Sequence, residues 1–380
     1  MEKQQNPFLL IGYHGEKFFC DRVNETELLQ NYLLQGQHVT LFAIRRLGKK
    51  GLIRHVFSKL EAKKINCIYV DILTTNNLQG LINQLASEIY RRFPPEKPTS
   101  ARIWETLKSF RPVLSFDELS GIPELSLTVE NPTQQQKTIE QLFSLLDEQQ
   151  NKCVVALDEF QQILNYPEKN IEAALRTILQ NLKNTSLLFC GSNQSMMHEL
   201  FNSAKRPFFA SCTNMYLGFI EQSIYHHFIA QHFNEGQQKI EKEAIDFILD
   251  WTFSHTYYTQ YFCHFIYAKQ NPTISLQDVK KYALELISLQ ENTFFQYRNL
   301  LPDAQWKLLS AIAKEEKVTQ ILAGTFIKKH NLNSASSVQR SLSVLLEKEL
   351  IFHAISDENP YYQVYDKFLL RWIQHTFQNR

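Results

Sequence analysis

The sequence predicts an α/β fold: a parallel sheet with helices on both faces, then an all-α region, then a winged helix-turn-helix. Three observations carry this. Residues 39–43, 67–70, 153–157 and 187–190 are short, near-continuously apolar runs, the pattern of strands buried on both faces of a parallel sheet. Helical periodicity lies between those runs, and the alternation implies a doubly wound sheet. Beyond about Ile220 the periodicity is helical alone, until three helices and a hairpin close the chain in winged-helix order.

Each element has its own signal. The run 39–43 leads through a basic turn into a helical pattern over 52–62, and the run 67–70 leads into one over 78–92. Residues 111–132 break the rhythm with Pro112, Pro123 and Pro132. A possible hairpin of 113–119 and 125–129 turns near Gly121, so about 98–135 is expected to be an insertion. A helix over 171–182 precedes the run 187–190, and 214–217 suits a fifth strand. Apolar residues then recur at helical spacing over 221–234, 241–253, 258–267 and 276–294, a helical lid. Pro302 punctuates. Helices over 303–316, 321–330 and 334–348 follow, the third capped by Asn333 or Ser334. Strands over 350–355 and 361–365 join across 356–360. The expected domains are 1–220 (sheet), 221–298 (lid) and 299–380 (winged helix).

Composition narrows the function. A length of 380 residues suggests about two to three domains, and 27 Phe residues can fill several apolar layers. A net charge of +1 argues against broad attraction to nucleic acid or anionic membrane. Cys20, Cys67, Cys153, Cys190, Cys212 and Cys263 form no Cys-x-x-Cys pair, and Cys67, Cys153 and Cys190 sit in apolar runs, so core thiols in a reducing compartment are expected. The N-terminus is polar without a signal core. No apolar run reaches the roughly 18–20 residues of a membrane span. A cytoplasmic protein is expected.

The chemistry concentrates in three turns. Ala43-Ile44-Arg45-Arg46-Leu47-Gly48-Lys49-Lys50-Gly51 joins the first run to a helix start. A phosphate-binding P-loop reads Gly, four residues, Gly, Lys, then Ser or Thr. Gly48 and Lys49 fit; Ala43 replaces the first Gly and Lys50 replaces the Mg²⁺-ligating hydroxyl. Helix N-terminal amides here would face a phosphate. The second turn follows the run ending in Asp158-Glu159. In P-loop ATPases such an Asp holds Mg²⁺ and the Glu polarises attacking water as general base. The third, Gly191-Ser192-Asn193, could orient water or sense a γ-phosphate, or simply cap the next helix. Arg206, in Lys205-Arg206-Pro207-Phe208, is a candidate phosphate contact, in cis or from a neighbouring subunit of an oligomer. His226, His227 and His232 share one helix without acidic or Cys companions at ligand spacing, so zinc is not expected.

With those residues in view, the chain resembles the archaeal-type ATPase domain family, P-loop ATPases of the AAA+/STAND-like kind from bacteria and archaea, over nearly its whole length. The resemblance rests on Asn6-Pro7-Phe8, Phe18-Phe19-Cys20-Asp21-Arg22 with Glu25 and Leu28-Leu29, and Arg45-Arg46-x-Gly48-Lys49. It continues through Tyr69-Val70-Asp71, Leu157-Asp158-Glu159-Phe160-Gln161, Gly191-Ser192 with Met196-Met197, and Arg206-Pro207-Phe208. Tyr257-Tyr258-Thr259-Gln260 and Ser336-Ser337-Val338 extend it into the C-terminal half. It implies an ATP-binding P-loop domain, a helical lid and a winged helix, with residues 6–22 near the adenine. Family members commonly read Pro-Arg-Arg-x-Gly-Lys-Thr in the loop, so Ile44 and Lys50 depart from the pattern.

An ammonium donates only and cannot ligate a cation. Two unit charges about 4 Å apart interact by roughly 4 kcal/mol at a near-surface dielectric, enough to displace a weakly held metal. Lys50 is therefore expected to take the metal's space and pair with Asp158, leaving ATP bound with little Mg²⁺ dependence and slow hydrolysis. Alternatively Lys50 points to solvent and Mg²⁺ keeps its place on Asp158 and water. In the winged helix, Ser337, Gln339 and Arg340 are the candidate DNA contacts. Residues 302–380 carry ten Lys/Arg against eight Asp/Glu, a difference of +2, and Asp357 and Glu358 lie in the wing; this favours protein or intramolecular docking over DNA. Three functions follow: an ATP-dependent regulatory switch, a DNA-binding protein on a relict ATPase scaffold, or a working ATPase.

Overall fold

The computed structural model describes residues 6–95, 101–117, 121–129, 131–354 and 359–377. The chain divides into two compact units, Gly12–Gly218 and a second made of Met1–Ile11 with Phe219–Arg380.

In the first unit, strand β1 (Val39–Ala43) is buried at every residue, and β2 (Asn66–Asp71) nearly so. A hairpin of β3 (Val113–Phe116) and β4 (Pro123–Ser126) follows. The apolar runs resume in β5 (Cys153–Asp158), β6 (Thr185–Gly191) and β7 (Thr213–Leu217). The central sheet has the order β2-β5-β6-β1-β7 with every pairing parallel. Because side chains alternate across a strand, each run feeds two cores. Leu41, Val154 and Ala156 join one core with Leu52, Val56 and Leu60 of the helix Lys49–Ala62. Phe42, Val155 and Leu157 join the other with Leu81, Leu85 and Ile89 of the helix Leu78–Arg92. The chain leaves β1 for the far edge at β2 and returns through β5 and β6, so the turns after β1, β5 and β6 lie together at the carboxyl edge. This is where open α/β sheets bind ligands.

The four expected strands and the fifth near β7 are present. The expected insertion contains the helix Ala101–Ser109 and the β3–β4 hairpin. Two further helices lack a strong sequence signal. Val23–Leu34 precedes β1, and Pro132–Asp147 precedes β5, opened by the Asn131 cap and Pro at the first turn. The polar run Thr133–Lys137 hides the second one's start.

The second unit carries helices Gln222–Glu235, Lys242–Thr252, Thr256–Tyr267 and Leu276–Leu300, with short parallel strands β8 (Lys239–Ile240) and β9 (Thr273–Ile274). Leu276–Leu300 is opened by a Ser275–Asp278 capping box and runs six residues past the expected end. Helices Asp303–Glu315, Gly324–Lys329 and Ala335–Glu347 then lead into the antiparallel pair β10 (Ile351–Ala354) and β11 (Tyr361–Val364). Residues 355–358, with the expected wing charges Asp357 and Glu358, lie outside the described residues. A last helix, Lys367–Phe377, packs Leu369, Leu370, Trp372 and Ile373 inward. Residues 6–11 belong to this unit: Phe8 is fully buried, 5.0 Å from the Phe233 ring, and its carbonyl lies 2.8 Å from His264 Nδ1. The stretch 6–22 expected near the adenine is thus divided, with 12–22 in the sheet unit. No helix among the described residues is long and apolar enough to cross a membrane. The six cysteines are free thiols.

Phe160, directly after the acidic pair, is fully buried among Phe189 (4.5 Å), Phe208 (5.5 Å) and Phe201 (5.7 Å). Phe160→Ala is expected to lower unfolding free energy by about 3–5 kcal/mol. Phe116→Ala, at an exposed hairpin position, should stay within about 0.5 kcal/mol; chemical denaturation compares the two.

Candidate functional site

The loop after β1 is built for close approach to an anion. Gly48 takes φ 100°, a left-handed conformation that favours glycine, and caps the helix Lys49–Ala62 without a side chain. Arg46 is also left-handed, at φ 62°. Leu52 N–H donates to Gly48 O at 2.9 Å, so the amides of residues 49–51 precede the helical ladder and are free to meet an acceptor. Residues 13–22 pack beside this helix. Tyr13 OH lies 2.8 Å from His55 Nδ1, and Phe19 stacks on His55 with ring centres 4.4 Å apart. Arg22 is buried, bonded to Glu25 at 2.7 Å and to Leu47 O at 3.4 Å, which ties that segment to the loop.

Opposite the loop stand the two carboxylates at the end of β5. Lys49 Nζ lies 2.6 Å from Asp158 Oδ1 and 3.4 Å from Glu159 Oε1. Asp158 Oδ1 also accepts from Glu159 N–H at 3.0 Å, and Tyr69 OH donates to Oδ2. Glu159 Oε2 accepts from Ser192 Oγ at 2.7 Å, Ser192 N–H at 3.1 Å and Gln161 Nε2 at 2.7 Å. Gly191 makes this possible: a Cβ there would sit 2.1 Å from Gln161 Oε1 and 2.8 Å from Met197 Sδ.

Electrostatics follows from that geometry. Burial raises the Asp158 carboxyl, but the Lys49 ammonium and the bond from Tyr69 outweigh it and hold it below the usual range. Burial likewise opposes the Glu159 charge, and Lys49, Gln161 and Ser192 prevail. Burial works against the Lys49 ammonium too, yet the two carboxylates keep it above the ordinary lysine range. Burial and the Asp158 charge push the Tyr69 hydroxyl up, so it acts as a donor.

The pairing of Lys50 differs from the sequence expectation. Asp158 is held by Lys49, and Lys50 Nζ instead lies 3.8 Å from Asp71 Oδ2 and 5.0 Å from the Tyr69 ring centre. Successive residues of a helix diverge by about 100°, so Lys49 and Lys50 face different strand ends, and Asp71 is the register partner of Asp158. From the sequence Tyr69, Asp71 and Gln161 have no site role; they figure only among the residues of the family resemblance, at or beside a strand's carboxyl end. Asn193 caps the helix Gln194–Asn202, its side-chain oxygen accepting from Met196 N–H at 3.1 Å. Arg206 pairs with Glu172 at 2.8 Å and with Glu199. Arg45 and Arg46 are exposed, while Ala43, Ile44 and Leu47 are buried. In the winged helix, Gln339 and Arg340 are exposed and Ser337 is half-buried at the helix start.

The residues fit a polyphosphate through the loop amides and Lys49. They do not fit Mg²⁺. Both Asp158 oxygens already accept hydrogen bonds, and position 50 presents a cation where a ligating hydroxyl would stand.

Residues 19–262 match the family model described as an ATPase domain predominantly from Archaea. The chain belongs to this family. Residues 292–375 match a second model, a probable winged helix domain. Among solved structures, a Walker-type ATPase of Pyrococcus abyssi superposes with a TM-score of 0.66 at 16% identity, over 97% of this chain and 99% of that one. The ORC2 protein of Aeropyrum pernix, solved as ADPNP–ADP complexes, superposes with a TM-score of 0.55 at 15% identity, over 100% and 99%. At these identities the likeness is one of fold: a P-loop ATPase sheet, a helical region and a winged helix. No curated protein matches the chain significantly.

Removing Lys49 tests the clamp. Lys49→Met leaves a buried carboxylate pair without its cation, an expected loss of about 3–5 kcal/mol at pH 7. In wild type the depressed Asp158 value means that its contribution is present above the unfolded carboxyl value and lost as pH falls through the folded one. In the variant burial is opposed only by the remaining hydrogen bonds, among them the one from Tyr69, so the carboxyl rises and protonation relieves it. Unfolding free energies measured from pH 7 to pH 4 are expected to converge.

Proposed function

We propose that this protein is an adenine-nucleotide-binding switch of the P-loop ATPase fold whose hydrolysis is slow and whose binding depends little on Mg²⁺. The observation that carries it is the pair of adjacent lysines at the loop–helix junction. Lys49 lies on Asp158 and Glu159, and Lys50, in place of the hydroxyl, lies near Asp71. An incoming β/γ-phosphate and the two carboxylates compete for the Lys49 ammonium. Nucleotide occupancy therefore exchanges one ion pair for another and frees Asp158 and Glu159 to regroup.

The acidic pair also supports slow turnover. A general base works best with a pKa near the operating pH. Glu159 is held below its usual range beneath donors from Gln161 and Ser192, so it draws a proton from water weakly. Asn193 supports a helix start and Arg206 is held by two carboxylates of its own unit, which leaves neither poised for catalysis. Nucleotide complexes of the Aeropyrum pernix protein of similar fold favour adenine nucleotide as the ligand.

Calorimetric titration of wild type with ATP, in Mg²⁺ and in chelator, should give affinities within about tenfold, or 1.4 kcal/mol. Lys50→Thr should widen that ratio and raise phosphate release. Wild-type binding that collapses without Mg²⁺, or brisk wild-type turnover, would sink the metal-independent reading. Failure to bind ATP under either condition would sink the nucleotide site itself.

A further inference from the structure

The last helix, Lys367–Phe377, begins on a buried amine without a counter-charge. Lys367 is fully buried. Its Nζ donates to Gln363 Oε1 at 2.7 Å and to Val364 O at 2.9 Å, both neutral acceptors on β11. The ring centres of Phe352 on β10 and of Phe253 lie 4.8 and 5.4 Å from it. Among the described residues no carboxylate pairs with it. Asp366 Oδ1 accepts from Phe368 and Leu369 N–H at the start of the same helix, and Glu316 is held by Arg371 at 2.6 Å.

That amine sits where the winged helix docks on the helix Lys242–Thr252. Arg371 donates to Trp251 O at 2.9 Å and to Asp250 O at 3.0 Å, carbonyls of that helix's last turn. The Phe368 ring lies 5.6 Å from Trp251 and 4.9 Å from Tyr258. Phe253 ends the helix in a left-handed conformation, φ 56°. Its ring meets Lys367 and, at 4.5 Å, the Arg371 guanidinium. An open cavity of about 570 Å³ is lined by Asp250, Phe253, Glu316, Lys317 and Arg371 but not by Lys367. The Phe253 ring therefore stands between the amine and water.

A charge on Lys367 would be poorly placed. Arg371 lies one turn along the same helix, Lys317 approaches from the turn after the helix Asp303–Glu315, and a helix start disfavours a cation. Asp366 and Glu316 oppose these only in part. Glu315 is paired with Lys329 and His330, the Asp250 carboxylate accepts from Gln222 at 3.3 Å, and His353 stacks on Tyr362 with ring centres 4.4 Å apart. Burial dominates and pushes the amine well below the ordinary lysine value. We propose that Lys367 is a proton-controlled catch: its amine is uncharged while the last helix is docked on the helix Lys242–Thr252, and release of the last helix takes up a proton. In the released state the amine regains water and its ordinary value. Between the two values the released state holds one proton more, so docking weakens as pH falls and strengthens as it rises. Acid thus loosens the winged helix, whatever occupies the nucleotide site.

Hydrogen exchange on the full chain tests the catch through the amides of residues 369–373. Protection factors remove the intrinsic pH dependence of exchange and report local opening. From about pH 7 to pH 9, wild-type protection should rise with pH, toward about tenfold per unit, the limit for one proton. Lys367→Met should lose that slope and keep the segment protected throughout. Phe253→Ala retains the lysine but admits cavity water to it, so its slope should shrink; this arm stands even where Lys367→Met does not fold. A wild-type profile that is flat with pH overturns the proposal. So does a slope that persists in Lys367→Met or is undiminished in Phe253→Ala.

Discussion

One ammonium organises the carboxyl edge of the sheet. Lys49 opens a helix behind the β1 turn and reaches Asp158 at 2.6 Å across the intervening β6. Burying two carboxylates at neighbouring positions costs several kcal/mol unless a cation and donors answer them. Lys49 supplies the cation, and Tyr69, Gln161 and Ser192 supply the donors. Each donor then constrains its own element. Tyr69 links β2 to β5 beside their parallel ladder, and a side chain at residue 191 would displace Gln161 and Met197. The local backbone follows as well: Glu159 adopts φ 56° at the strand end, a left-handed conformation that turns its carboxylate back toward the loop.

The strands were legible because burial on both faces leaves a continuous apolar run, as in the Cys153–Asp158 stretch, that no surface helix imitates. Helices with a polar first turn were not. Pro132–Asp147 begins among glutamines, and its buried Ile139, Leu142, Phe143 and Leu146 become informative only once the end of the insertion is known. At the site, the loop and the acidic pair are written in consecutive residues. Their partners are not. Tyr69 and Asp71 lie on a strand that reaches Asp158 only through the order β2-β5, which sequence adjacency does not encode. The expectation that Lys50 would take Asp158 failed for the same reason. Which of two adjacent lysines meets which of two acidic strand ends is decided by helix phase, and one residue of phase exchanges the partners.

In the proposed function the position of Lys50 separates binding from turnover. In the proposed reading phosphate recognition rests on backbone amides and Lys49, neither of which the substitution removes. The metal ligand is what the substitution removes, and the added charge also disfavours a replacement ion nearby. Lys50 is more than half exposed beside a partly exposed Asp71, so solvent screens that pair and it contributes little to stability. Its consequence lies in charge at the site rather than in the fold. Position 50 can therefore change while the sheet, the loop and the acidic pair persist.

The switch proposed above needs two states of comparable free energy. The clamp provides one, in which the carboxylates hold Lys49. A bound polyphosphate would provide the other by offering more negative charge together with the loop amides. The ligand shifts the balance only by the difference between its interaction with Lys49 and the interaction it displaces. A stronger clamp therefore lowers apparent affinity by the same factor by which it stabilises the unliganded state. The two carboxylates set how much nucleotide is required before the site changes, and their other hydrogen-bond partners, Tyr69, Gln161 and Ser192, set where the carboxylates remain when Lys49 leaves. Asp158 without its cation would still accept from Tyr69 and from Glu159 N–H, so the released state keeps a defined geometry at the end of β5. That residual order makes the exchange a change of partners rather than a local unfolding.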